Sequence, residues 1–131
     1  MTFQKIDHIG IVVKDLAAGV ATFERNFGLA ADATRGGEMP AMGLKNAFIP
    51  VADSGEADIE FIQPLGEEGA VATFAKERGE GQFLLSIAVD NIEAAVEKLR
   101  AAGARVSDPR GGLAFVSMKS SHGVNIQLVQ R

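Results

Sequence analysis

Ile6–Phe23, IDHIGIVVKDLAAGVATF, and Gln82–Leu99, QFLLSIAVDNIEAAVEKL, are two versions of one segment. Laid over each other they set Val13 on Val89, Leu16 on Ile92, Ala18 on Ala94 and Val20 on Val96, and they set His8 on Leu84. A second match lays Ile59–Gln63, IEFIQ, on Ile126–Gln130, IQLVQ, so Glu60 falls on Gln127. Each copy of the longer segment starts with a largely apolar stretch of strand length, β-branched in the first copy, and then turns to apolar residues at helical spacing, so a strand runs into a helix twice. The second copy has lost the two side chains with which the first would do chemistry.

Working outward, Lys5–Val13 reads as a strand, and Asp15 offers an N-cap to a helix over Leu16–Asn26 that Gly28 ends. Ala30–Arg35, Leu44–Val51 and Asp58–Gln63 are expected as three strands, separated by breaks at Gly36–Pro40 and Asp53–Gly55. Ala70–Arg78 is a helical linker stopped at Gly79 and Gly81. The second half repeats the order. Strand Gln82–Val89 leads through the Asn91 cap to helix Ile92–Ala102, with Gly103 as its stop. Strands Ala104–Ser107, Leu113–Met118 and Val124–Gln130 follow, with a turn through Pro109–Gly112 after the first of them. The expected class is α+β: two βαβββ repeats, about 1–65 and 81–131, forming one curved, barrel-like mixed sheet with helices outside, in a single domain over 1–131.

With 47% apolar and 23% charged residues in a chain of 131, a globular domain with a real core is expected. The formal net charge of −4, with Lys and Arg scattered, gives no footprint for nucleic acid. The absence of cysteine excludes disulfides, thiolate metal sites and a thiol nucleophile. No apolar run approaches the roughly 20 residues of a membrane span, and the opening MTFQKIDHIG enters a strand pattern without a signal-like core, so a cytoplasmic protein without a membrane partner is expected. Only His8 and His122 are histidines, which excludes any three-imidazole site within one chain.

Side chains alternate along a strand. Ile9, Ile11 and Val13 form the apolar face suited to a covering helix, which turns His8 to the other side; the same parity turns Glu60, Leu84 and Gln127 to that side as well. A carboxylate between Ile59 and Phe61 is costly to bury unless it is paired, hydrogen-bonded or protonated. A His8–Glu60 pair lining a pocket is the simplest way to satisfy both, against the alternative of a purely structural polar pair.

The paired repeats, the opening IDHIGIVVKDL, the segment IEFIQPLGEEGAVATFAKERGEG, the second-half VDNIEAAVEKLRAAGARV and the ending KSSHGVNIQLVQ resemble the vicinal oxygen chelate (glyoxalase/bleomycin-resistance/dioxygenase) superfamily. Within it the chain looks most like the methylmalonyl-CoA epimerases, with glyoxalase I more distant. The resemblance implies four metal-ligand positions, which fall here on His8, Glu60, Leu84 and Gln127. Leu84 has no lone pair and Gln127 offers only a neutral amide, so the site is degenerate. No cofactor is therefore expected; the alternative is a divalent cation held weakly by His8, Glu60 and Gln127 with waters.

An epimerase takes a proton from the carbon beside a thioester carbonyl and returns it to the other face. The presumed second base falls on Asn46, leaving Glu60 to carry proton transfer with His8. Gln127, Asn46, Asn125, Phe48, Leu84 and His122, the last in the Lys119–Gly123 loop, are the expected substrate-binding residues. The resemblance implies a homodimeric isomerase, epimerase or lyase acting on a small molecule such as an acyl-CoA or oxo-acid. The competing expectation is a metal-free protein that binds or sequesters a small molecule, as the bleomycin-resistance branch does.

Overall fold

The computed structural model describes residues 2–51 and 55–131. Among them the order is β1 (Phe3–Val12), α1 (Leu16–Phe27), β2 (Gly37–Met39), β3 (Leu44–Pro50), β4 (Asp58–Pro64), α2 (Ala70–Arg78), β5 (Gly81–Val89), α3 (Ile92–Ala101), β6 (Leu113–Val116) and β7 (Ile126–Gln130). The strands follow one another as β2-β3-β4-β1-β5-β7-β6 in a seven-stranded sheet. It is mixed: β2, β3 and β4 pair antiparallel, as do β6 and β7, whereas β5 and β7 run parallel. The class is α+β, as expected.

Two expected strands are absent. Ala30–Arg35 instead turns at Asp32, whose carboxylate accepts from the Thr34 backbone N–H at 2.9 Å and its hydroxyl at 2.6 Å. That local bond offers the backbone an alternative to a ladder, and the strand starts only at Gly37, inside the expected break. Ala104–Ser107 contracts to one bridge between Val106 and Val116. The strand expected to reach Met118 stops at Val116, since Met118–Ser120 forms a 3-10 turn in which the Ser117 hydroxyl accepts from the Lys119 N–H. Of the expected break at Asp53–Gly55, Asp53 and Ser54 lie outside the described residues.

The chain divides into two compact units that do not coincide with the sequence repeats: residues 9–83, and residues up to 8 together with 84–131. In the first, Val13, Ile49 and Phe61 form a core against Leu16, Val20 and Phe23 of α1, with the Phe23 and Phe61 rings edge to face at 4.7 Å. On the other side of its strands Val12, Leu44 and Ile62 pack against Val71 and Phe74 of α2. In the second unit Val89, Ala114, Val116 and Leu128 pack against Ile92, Ala95 and Val96 of α3.

The duplication is visible in atomic detail at the two helix starts. Asp15 accepts from Ala18 N–H at 3.0 Å, and Asn91 accepts from Ala94 N–H at 2.9 Å. Gln63 Oε1 accepts from Leu16 N–H at 2.7 Å, and Gln130 Oε1 accepts from Ile92 N–H at 2.8 Å. Each unit thus satisfies two donors of its first helical turn from equivalent positions, one a local Asp or Asn and one a Gln near the end of its final repeat strand.

Candidate functional site

Buried polar side chains are the exception in a protein interior and need a partner or a task. Among the described residues five are buried: His8, Asn46, Glu60, Ser86 and Gln127. The repeat alignment and the strand parity single out three of these, His8, Glu60 and Gln127, and the family resemblance points to Asn46. Ser86 is the fifth.

In the unit 9–83, β3 and β4 pair with Phe48 opposite Glu60 and Asn46 opposite Ile62. Strand alternation puts Asp58, Glu60 and Ile62 on one face with Leu44, Asn46 and Phe48. Asn46 Nδ2 donates to Glu60 Oε2 at 2.7 Å, and Asn46 Oδ1 accepts from Gly37 N–H at 3.2 Å. The carboxamide is held at both ends, and its orientation is fixed by its partners: the nitrogen meets a carboxylate, the oxygen a backbone donor.

The segment leading into β2 crosses the same face. The Arg35 guanidinium lies 4.8 Å from the centroid of the Phe48 ring, with Nη1 donating to Asp58 at 2.8 Å and Nε to Asp32 at 2.9 Å. The hydrogen bond donated to Asp58 is the largest cause raising the Arg35 pKa, and the Asp32 pKa is lowered to about 2, first by the Thr34 hydroxyl. Two carboxylates against one guanidinium leave the group net negative. It clamps the segment over Phe48 and is a poor receptor for an anion.

In the other unit, Ser86 and Gln127 are register partners on the parallel strands β5 and β7, and Phe115 of β6 is the partner of Gln127 on its other side. Ser86 Oγ donates to Gln127 Oε1 at 2.8 Å. Leu84 is buried one alternation before Ser86. His8 Nδ1 lies 2.7 Å from Asp7 Oδ2, and Arg131 grips the Asp7 carboxylate with two bonds of 2.9 and 2.8 Å. The Arg131 bonds lower the Asp7 pKa to about 2 against the opposing effect of burial, and His8 adds to the lowering. An ionised carboxylate only accepts, so Nδ1 of His8 carries a proton toward Asp7.

The backbone carbonyl of Asn125, which is half-buried, accepts from Leu85 N–H at 2.9 Å. His122 is exposed in the turn before β7, with a left-handed backbone at φ 53°. It stands outside the buried polar set. Ser86, Asp7, Arg131 and Arg35 escape the sequence reading. Ser86 carries a usable signal, because alternation puts it on the face of Leu84. Asp7 and Arg131 are 124 residues apart and carry none.

The donor set does not fit a divalent metal. Of the four ligand positions that the fold family implies, Leu84 carries no donor atom and the Gln127 oxygen is engaged by a hydroxyl. Among the described residues no three His, Cys, Asp or Glu side chains come together as a metal group.

Comparison with known proteins follows the same lines. No protein of curated function matches the chain by sequence. Solved structures do. Methylmalonyl-CoA epimerase from Mycobacterium tuberculosis is 28% identical with a TM-score of 0.88, over 98% of this chain and 89% of that one. A variant of the Streptomyces coelicolor methylmalonyl-CoA epimerase, in complex with 2-nitronate-propionyl-CoA, is 27% identical at 0.87, over 98% of both chains. A methylmalonyl-CoA epimerase in complex with methylmalonyl-CoA and NH4+ is also 27% identical at 0.87, over 98% of this chain and 95% of that one. The model of the Glyoxalase/Bleomycin resistance protein/Dioxygenase superfamily matches residues 7–129, and the chain belongs to that superfamily.

Proposed function

We infer that this protein is an isomerase of the epimerase type that moves the proton beside the thioester carbonyl of a small acyl-CoA, using Glu60 as its base and no metal. The observation that carries the reading is the buried Glu60 carboxylate, oriented by Asn46 at 2.7 Å with Phe48 as its register partner. Support comes from the likeness to methylmalonyl-CoA epimerases over nearly the whole chain, two of them in complex with CoA thioesters.

Glu60 would accept the proton from the carbon, leaving an enolate whose oxygen needs hydrogen-bond donors. Asn46 is committed to Glu60 and Gly37, so its role is to aim the base. The His8 ring, in the other unit, is set by Asp7. Glu60, acting from one side, exchanges the proton it has taken with solvent and delivers a deuteron back to the face it came from more often than solvent delivers one to the opposite face. Methylmalonyl-CoA incubated in D2O should therefore take up deuterium at C2 faster than it epimerises, as followed by NMR and chiral analysis. Glu60→Gln should slow the uptake by roughly 10²-fold or more, the usual worth of a positioned general base.

A second reading has its own observation, the replacement of two expected ligand positions by Leu84 and an engaged Gln127. On that reading the protein holds its ligand without turnover. Binding of methylmalonyl-CoA with no deuterium uptake in the same experiment would establish it over the first.

A further inference from the structure

Ser86 is wholly buried on β5, and its hydroxyl donates to Gln127 Oε1 at 2.8 Å. That bond decides which end of the Gln127 carboxamide does what. With the oxygen occupied by Ser86, the Nε2 amide is left for another partner, and among the described residues the Gln127 side chain makes no other protein hydrogen bond. No fully buried side-chain nitrogen or oxygen among these residues lacks a partner, so this nitrogen, on a residue only 9% exposed, keeps a small exposed surface. A primary amide so placed offers two N–H donors and no acceptor to whatever approaches. Nearly desolvated, it favours an oxygen that carries charge over water.

We propose that Ser86 is a positioning residue that locks the Gln127 carboxamide with its N–H donors outward, making the face of β5 and β7 a receptor for an anionic or enolate oxygen of the ligand. The proposal deepens the acyl-CoA reading and rests on it only for the identity of the oxygen. In chemical terms the duplication has changed a position of acceptor type, Glu60 in the first repeat, into one of donor type. A base stands at one repeat position and an oxygen receptor at its counterpart. The bulk beside the receptor is apolar, from Leu84 and Phe115, which keeps competing water few.

The test is NMR of the Gln127 side-chain amide in uniformly 15N-labelled protein, titrated with methylmalonyl-CoA and, separately, with malonate. The expected result is a downfield shift of the Gln127 Nε2 protons on binding. Ser86→Ala should weaken binding about tenfold, the worth of one charge-assisted hydrogen bond held in place. Ser86→Thr keeps the hydroxyl and should restore most of the affinity. Gln127→Glu should weaken it further by setting a carboxylate against the ligand oxygen. If methylmalonyl-CoA moves no resonance while malonate shifts the Gln127 amide in a Ser86-dependent way, the acyl-CoA reading fails and the receptor stands. The receptor is overturned if either probe binds without moving the Gln127 amide, if folded Ser86→Ala binds as the parent does, or if neither probe binds.

Discussion

Asp7 shows how one side chain can be decisive without touching a ligand. Its carboxylate holds Nδ1 of His8 and is held in turn by Arg131. Its pKa is lowered from 3.8 to about 2 in the folded protein. A depressed carboxylate adds stability above its unfolded pKa and loses that contribution as pH falls through the folded value, so the loss here runs from about pH 4 down to about pH 2. Asp7→Asn should lower stability at neutral pH by about 1 kcal/mol, a modest figure because Arg131 is half-exposed and screened by solvent. The same variant should flatten the acid limb, as checked by urea unfolding at stepped pH. At this scale the sequence is legible where a residue breaks its own surroundings. Glu60 between Ile59 and Phe61, and His8 between Asp7 and Ile9, are both conspicuous and both buried. Asp7 itself looks like an ordinary surface acid, because the partner that buries it comes at the far end of the chain.

Elements were legible where capping and periodicity agree, as at α1 and α3, whose starts coincide with the residues that Asp15 and Asn91 announce. They were not where a polar side chain satisfies the backbone locally. Asp32 takes the donors that a strand at Ala30–Arg35 would need for its ladder, and β2 starts only at Gly37, inside the expected break, as a short, exposed strand. This segment matters to the base. Gly36 sits at φ 88°, and a Cβ built on it would lie 2.7 Å from the Asn46 carbonyl oxygen. Gly36→Ala should therefore cost about 2 kcal/mol or more in thermal unfolding and should slow deuterium uptake beyond any loss of folded protein, since Gly37 N–H would be displaced from Asn46. The paired helix starts give a cleaner comparison. Gln63→Ala and Gln130→Ala each remove a single bond to the first turn of a helix, and each should cost about 1 kcal/mol by chemical denaturation. Equal costs would show the duplicated device to be energetically duplicated as well.

At the level of the whole molecule the sequence repeat and the compact units differ. The repeat alignment divides the chain near residues 65 and 81, whereas the folded units are 9–83 and the remainder, so that β1 belongs to one unit at its start and to the other at its end. Alignment reports shared ancestry of segments; which segments pack together depends on strand neighbours that no local pattern specifies. Each unit nevertheless keeps a separate apolar cluster. Phe61→Ala in one should cost about 3–5 kcal/mol and Leu128→Ala in the other about 2–5, since both side chains are almost fully enclosed. The route by which β1 runs also bears on how the chain comes off the ribosome. Residues 9–83 pack as one unit drawn from a single uninterrupted stretch, whereas Phe3–His8 pack with residues 84–131, which are made later. Until those residues have been made, the edge of β1 that meets β5 is bare, and a translating cell has to shield it from its neighbours.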